Sequence, residues 1–231
     1  VLKLMKLELK KHKFGRYWYP AAIANAVILA LIGFMLVVQR TEQDLDFMKS
    51  YSGVFDTAGT MVKATFIIFA SVLLARLVIG EYKNRTITLM YTYPIKRKKV
   101  LTAKLLTVSL WTFMMIILSH VVVIGVFLAA DAIIGIVNEP LSGDLIRDLA
   151  VSVLFKAVTA SGICLIPLLL GMKKQSTPAT IISAVILVSI TDSNNGGYSL
   201  NAFILAPVLL AIAGIVTAYF CIRNVEKADV L

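Results

Sequence analysis

Six stretches of apolar residues alternate with polar ones along the chain: 20–38, 59–79, 105–130, 149–171, 179–191 and 200–222. Five of them reach the roughly 18 residues that a helix needs to cross a bilayer, and 179–191 is short. The pattern predicts an all-α polytopic membrane protein, one domain with six transmembrane helices. Pro20 opens the first span, where a proline is tolerated in the first helical turn. The span over 105–130 is long enough to tilt. Pro167 and Pro207 interrupt the fourth and sixth spans and free backbone carbonyls that need buried partners. The fifth run opens from Ser176-Thr177-Pro178, a helix start, and closes on the polar turn Asp192–Gly197. Residues 181–205 are therefore open to two readings, a clean crossing or an element that dips and returns.

The polar stretches differ in sign. Residues 39–58 hold Glu42, Asp44, Asp46 and Asp56, and a second acidic loop holds Asp131, Glu139, Asp144 and Asp148. Residues 1–19 are basic, with Lys3, Lys6, Lys10 and Lys13 on one helical stripe and Glu8 as the lone acid. This segment is expected to be an interfacial helix drawn to anionic lipid. Tyr17, Trp18 and Tyr19 follow as an aromatic belt at headgroup level. The first apolar run has no clear small-residue cleavage site and is expected to act as an uncleaved anchor. Seventeen Lys and Arg fall on the side of the N-terminal segment, 80–104, 172–175 and the C-terminal tail; only Arg40, Lys49 and Arg147 fall on the other. The asymmetry puts both termini in the cytoplasm.

The most patterned polar stretch is 80–104. Glu81 and Arg85 stand four apart with the acid first, the favourable order for a helical ion pair. Pro94 stops that short helix and biases Tyr93 toward an extended backbone. Lys96, Arg97, Lys98 and Lys99 follow, then Lys104 at the mouth of the next apolar run. An ordinary positive loop requires neither the Tyr-Pro break nor this spacing. An acid after a span, then Thr86, Leu89, Tyr93-Pro94, a basic cluster and Lys104 resembles the type-2 ABC exporter permeases. The family often has Gly where Arg85 stands. The resemblance implies that 80–104 is a cytoplasmic coupling helix docking on a separate ABC ATPase. It implies ATPase contacts by Glu81, Arg85, Thr86, Leu89, Met90, Tyr93, Pro94, Lys96, Arg97 and Lys98. Glu81 and Arg85 are open to a second role, bracing the segment internally.

Composition agrees with a membrane protein: 59% of the 231 residues are hydrophobic and the mean hydropathy is +0.87. The net charge of +10 is a matter of topology, and nucleic acid is not an expected partner. The sequence holds no Gly-x-x-x-x-Gly-Lys-Ser/Thr, no His-Glu-x-x-His and no Gly-x-Ser-x-Gly. The chain is therefore expected not to be an enzyme and to carry no cofactor, with ATP and Mg held on the partner ATPase. Cys164 and Cys221 lie in apolar runs and suggest neither disulfide nor metal. Ionisable residues inside spans are candidates for function. Lys63 and Arg76 suit snorkelling anchors near span ends. Lys156 and His120 are the candidate substrate-path residues. For Lys156 the alternative is snorkelling; for His120 it is a hydrogen bond to a neighbouring helix.

These readings converge on a permease subunit of an ATP-driven exporter in a bacterial cell membrane. The resemblance implies a homo- or heterodimer of permeases and an amphipathic substrate: a peptide antibiotic, lipid-linked compound or drug. The alternatives are an ATP-independent channel or ion-coupled transporter, and a membrane anchor that recruits a soluble protein. Topology is directly testable. Single cysteines at Asp46 and Glu139 are expected to react with an impermeant thiol reagent in intact cells, and one at Lys98 is not. Labelling of the Lys98 position from outside overturns the orientation.

Overall fold

The computed structural model describes residues 2–11, 14–42, 50–83, 97–135, 137, 142–192, 194–195, 198–199 and 205–224. Helix α1 is Leu2–Lys11, and a 3-10 turn, Phe14–Tyr17, leads into α2, Trp18–Glu42. Helix α3, Tyr51–Leu74, continues into a π turn, Ala75–Ile79, and α4, Gly80–Lys83. Helix α5 is Arg97–Ile134 and α6 is Gly143–Ile163. Helices α7, Pro167–Lys174, and α8, Thr177–Asp192, are followed by a two-residue antiparallel pair, β1 (Asn194–Asn195) with β2 (Tyr198–Ser199). Helix α9, Leu205–Asn224, comes last.

Among the described residues, five helical stretches are long and apolar enough to cross a membrane: Gly15–Val38, Tyr51–Ile79, Lys98–Ile133, Gly143–Lys174 and Leu205–Arg223. Helix α8 is apolar but has 16 residues. At 1.5 Å per residue it is about 24 Å long, short of the roughly 30 Å hydrocarbon layer. The second and third stretches overrun the apolar runs that mark them. Helix α3 begins at Tyr51, before the apolar run at 59, and α5 begins at Arg97, before the run at 105. Hydropathy locates the run that lipid surrounds, whereas backbone hydrogen bonds carry the helix on past it. Asp56 and Lys104 therefore lie within helices.

The prolines take two forms. Around Pro167 the ladder tightens over Cys164–Ile166, where Leu165 N–H bonds to Gly162 O at 3.1 Å and Ile166 N–H to Ile163 O at 3.0 Å. A proline without an N–H interrupts the i→i−4 series there. Pro207 instead occupies the first turn of α9, because that helix begins at Leu205, and no ladder bond is required of it there.

The chain divides into two compact units. One comprises Val1–Phe14, Phe66–Phe113 and Val158–Leu231; the other comprises Gly15–Thr65 and Met114–Ala157. In the first, Phe66, Ile67, Leu73, Leu74 and Leu77 are fully buried with Val108, Ile163 and Leu168. Phe69 stacks on Trp111 with centroids 5.1 Å apart. Helix α8 buries Thr180, Ala184 and Val188, one residue per turn, and packs on α7 and the π turn. Two glycines allow close helix approach. A Cβ on Gly214 would run into the carbonyl oxygen of Gly162, and one on Gly162 would meet Ala211 Cβ at 2.9 Å. Small residues at helix crossings let backbones touch where lipid offers no hydrophobic drive to associate.

In the second unit, Ala21, Ile28 and Ile32 of α2 are buried, as are Val54, Phe55, Ala58 and Val62 of α3. Tyr51 stacks on Phe55 with centroids 5.9 Å apart, and Phe127 meets both edge-on at 6.5 and 6.2 Å. Tyr51 Oη–H donates to Asp131 Oδ2 at 2.5 Å, and Val137 N–H donates to Asp131 Oδ1 at 2.9 Å. Gly135 then takes φ +61, the left-handed conformation that ends a helix.

Large apolar side chains face outward on several helices: Phe34 (66% exposed) on α2 and Ile215 (60%) on α9 are examples. In water such faces would drive aggregation; against lipid tails they are solvated. The Gly162–Gly214 crossing is a backbone contact, so relief by rotamer change is impossible. Gly214→Leu is expected to lower the detergent-solubilised melting temperature markedly, and Gly15→Leu, with nothing near its Cβ, is expected to leave it unchanged.

Candidate functional site

The patterned segment 80–104 is held at both ends. The π turn bonds Gly80 N–H to Ala75 O, one residue further along than an α-helix would. Such widened turns recur at functional sites. Just beyond it, Glu81 is buried in the first turn of α4. Lys104, two turns into α5, is 3% exposed. Its ammonium donates to Leu77 O at 2.8 Å and to Glu81 Oε2. Glu8 of α1 brings Oε1 to 4.0 Å from the same Nζ. Three stretches distant in sequence thus meet at one cation.

This arrangement is what a buried ammonium requires. A lysine out of water needs an opposite charge and acceptors for its hydrogens. The Leu77 carbonyl and Glu81 accept hydrogen bonds from Lys104, and Glu8 adds a second negative charge at longer range. The pair joins residues 23 apart and closes the base of the intervening loop, so its ends are fixed together. Of the ten residues expected to touch an ATPase, Glu81 therefore has an internal partner. Lys98 is half-buried at the start of α5, and its carbonyl accepts Thr102 Oγ1–H at 2.7 Å. Arg97 is the first residue of α5. Arg85, Thr86, Leu89, Met90, Tyr93, Pro94 and Lys96 lie outside the described residues.

The two candidate substrate-path residues come together in the second unit. His120 is 2% exposed, with Nδ1 2.8 Å from Ile116 O, one turn back on α5. Lys156 of α6 reaches Asp56 Oδ1 at 3.0 Å. Both point at Gly59 of α3. A Cβ built there would stand 2.7 Å from Lys156 Nζ and 3.3 Å from His120 Nε2. The other intramembrane cations separate: Arg76 is exposed, whereas Lys63 is 3% exposed and does not snorkel.

Sequence reading places Glu81 and Lys104 in one motif and offers Glu81 a helical neighbour in Arg85, which lies outside the described residues. The pair with Lys104 needs the return of α5 beside α3. A usable signal existed: Lys104 is the basic residue furthest into the apolar side of the segment, where a charge has to be partnered. Glu8, the lone acid of a basic stretch, was another. Asp56 was missed as the Lys156 partner because hydropathy assigned it to a loop.

Removing one member of a buried pair strands the other, a loss of about 3–5 kcal/mol. Lys104→Ala and Glu81→Ala are each expected to destabilise the solubilised protein by that order, read as thermal unfolding. The double substitution is expected to lose less than the two single losses combined. Strict additivity would show that the two groups do not act as a pair.

The sequence matches the family described as ABC-2 family transporter protein over residues 4–190. It is also 38% identical over 228 residues to an uncharacterized protein, YcbO, of Bacillus subtilis (strain 168), with 99% of this chain and all of the relative covered. No solved structure matches it. With its long apolar helices and a match over most of its length, the chain belongs to the ABC-2 transporter family, as a membrane-spanning permease.

Proposed function

We propose that the chain is the permease subunit of an ATP-driven exporter and couples to a separate ATPase through 80–104. The observation that carries this reading is the Lys104–Glu81–Leu77 clamp. A loop that merely bore positive charge would need no buried fastening. A loop that receives a push from a partner does, because its flanks must move as one with α3 and α5. The π turn beside it supports the same reading, since a widened turn can shift register at little loss of hydrogen bonding. Glu81 serves as the internal brace, and the apolar contact falls to Leu89, Met90 and Tyr93. Arg85, Thr86, Pro94 and Lys96 to Lys98 set the shape and rim of that contact.

Membership of the family supports the remaining parts of the reading. Six spans with both termini in the cytoplasm place the segment within reach of the ATPase, which holds ATP and Mg. Two permeases, identical or not, face one another in a bacterial cell membrane. The substrate is amphipathic, of the class of a peptide antibiotic, lipid-linked compound or drug.

Central apolar contacts carry most interface energy, whereas exposed ion pairs contribute about 0–1 kcal/mol each. Leu89→Asp is accordingly expected to abolish recovery of the ATPase in a detergent pull-down while the permease stays in the membrane at normal abundance. Neutralising any one of Lys96, Arg97, Lys98 or Lys99 is expected to change recovery little. Full recovery with Leu89→Asp overturns the coupling assignment.

A further inference from the structure

Helix α1 has two faces of opposite character, and its single acid lies on the inner one. By helical spacing Lys3, Lys6 and Leu7 gather on one side, and all three are exposed. The other side carries Leu4 and Met5, both half-buried, and Glu8, which is 7% exposed. Neither Lys3 nor Lys6 has an ion-pair partner among the described residues. Leu7, 61% exposed beside them, adds apolar surface to a basic face, the composition of a helix lying in a charged interface. The 3-10 turn that follows leads directly to Trp18 and Tyr19, 55% and 80% exposed, residue types that settle at headgroup level. Few residues therefore separate the basic face from the headgroup layer. Glu8 meanwhile joins the helix to the clamp, with Oε1 4.0 Å from Lys104 Nζ.

We propose that the outer face of α1 binds anionic lipid headgroups of the cytoplasmic leaflet, and that Glu8 passes this binding on to the Lys104 clamp. A ligand shifts an equilibrium only through a difference in affinity for its two states. Glu8 supplies the difference. With α1 seated, its one acid is held on Lys104 and the leaflet meets lysines. With α1 lifted, Glu8 comes to the same anionic surface and is repelled from it. Anionic headgroups therefore favour the seated helix, and the seated helix brings a second carboxylate to Lys104. A zwitterionic leaflet makes no such distinction. The charge of the leaflet thus sets how firmly the base of 80–104 is fastened.

Regulation of this kind rests on the exporter reading for its purpose. Its test uses the permease alone, so a failure of ATPase docking leaves it untouched, and its own failure leaves docking untouched.

Amide hydrogen exchange of the full chain is compared in phosphatidylglycerol and phosphatidylcholine nanodiscs. Protection over 2–11 and over 97–107 is expected to be about fivefold or more higher in phosphatidylglycerol, because each lysine near an anionic surface contributes attraction of that order. Lys3→Gln with Lys6→Gln is expected to abolish the difference at both places, and Lys3→Arg with Lys6→Arg to keep it. Glu8→Gln separates the two steps: the difference persists over 2–11 and disappears over 97–107. Soluble glycerol phosphate added to phosphatidylcholine nanodiscs is expected to protect neither place, since a free anion offers no surface. Equal exchange in the two lipids overturns the proposal. So does a lipid effect over 97–107 that survives Glu8→Gln, or an equal rise in protection over 143–163. Protection by glycerol phosphate equal to that in phosphatidylglycerol overturns the lipid surface as the partner.

Discussion

One buried ammonium sets the terms for much of the first unit. Lys104 is 3% exposed, a position that costs free energy unless the charge is paired and hydrogen-bonded. The requirement selects its neighbours. Leu77 must present a carbonyl, Glu81 must fold back after the π turn, and α1 must lie where Glu8 approaches. An apolar cluster of similar volume would hold the helices equally well. What charge adds is direction: one register of α3 against α5 satisfies the lysine, and shifted registers leave it stranded. If the segment transmits displacement as proposed, that uniqueness serves it more than added stability.

The solvent explains the rest of the architecture. Lipid surrounds the outer faces of α2 and α9 as readily as protein would, so hydrophobicity alone does not bring helices together. Close approach does. Gly162 meets Gly214 backbone to backbone, and Gly171 leaves room for the Thr180 side chain. The backbone polar groups then stay within their own helices, with the exception near Pro167, where shorter-range bonds take over.

The two units use charge differently. Around Lys104 both members of the main pair are buried, and removing either is severe. Around Lys156 the acid is largely exposed and the neighbouring imidazole nitrogen is unmatched. The first arrangement suits permanence. Tyr51 and Asp131 belong with the permanent kind, since Asp131 also secures the backbone beyond the glycine that ends α5.

The sequence by itself determined the helical membrane class, because apolar runs of bilayer length leave few alternatives. It also determined the family, through the spacing of Glu81, Thr86, Leu89, Tyr93-Pro94 and Lys104. It singled out His120 and Lys156, because charge and polarity within an apolar run are conspicuous against it. What it did not contain was partnership. Helical spacing offers Glu81 a neighbour at i+4 and has no knowledge of a lysine 23 residues on. Hydropathy ends a span where polarity begins, so it left Asp56 outside the helix that carries it to Lys156. The π turn has no composition of its own, and Gly59 has no signature among the chain's other glycines. Those features arise only when separate helices are brought side by side, and tertiary structure alone decided them.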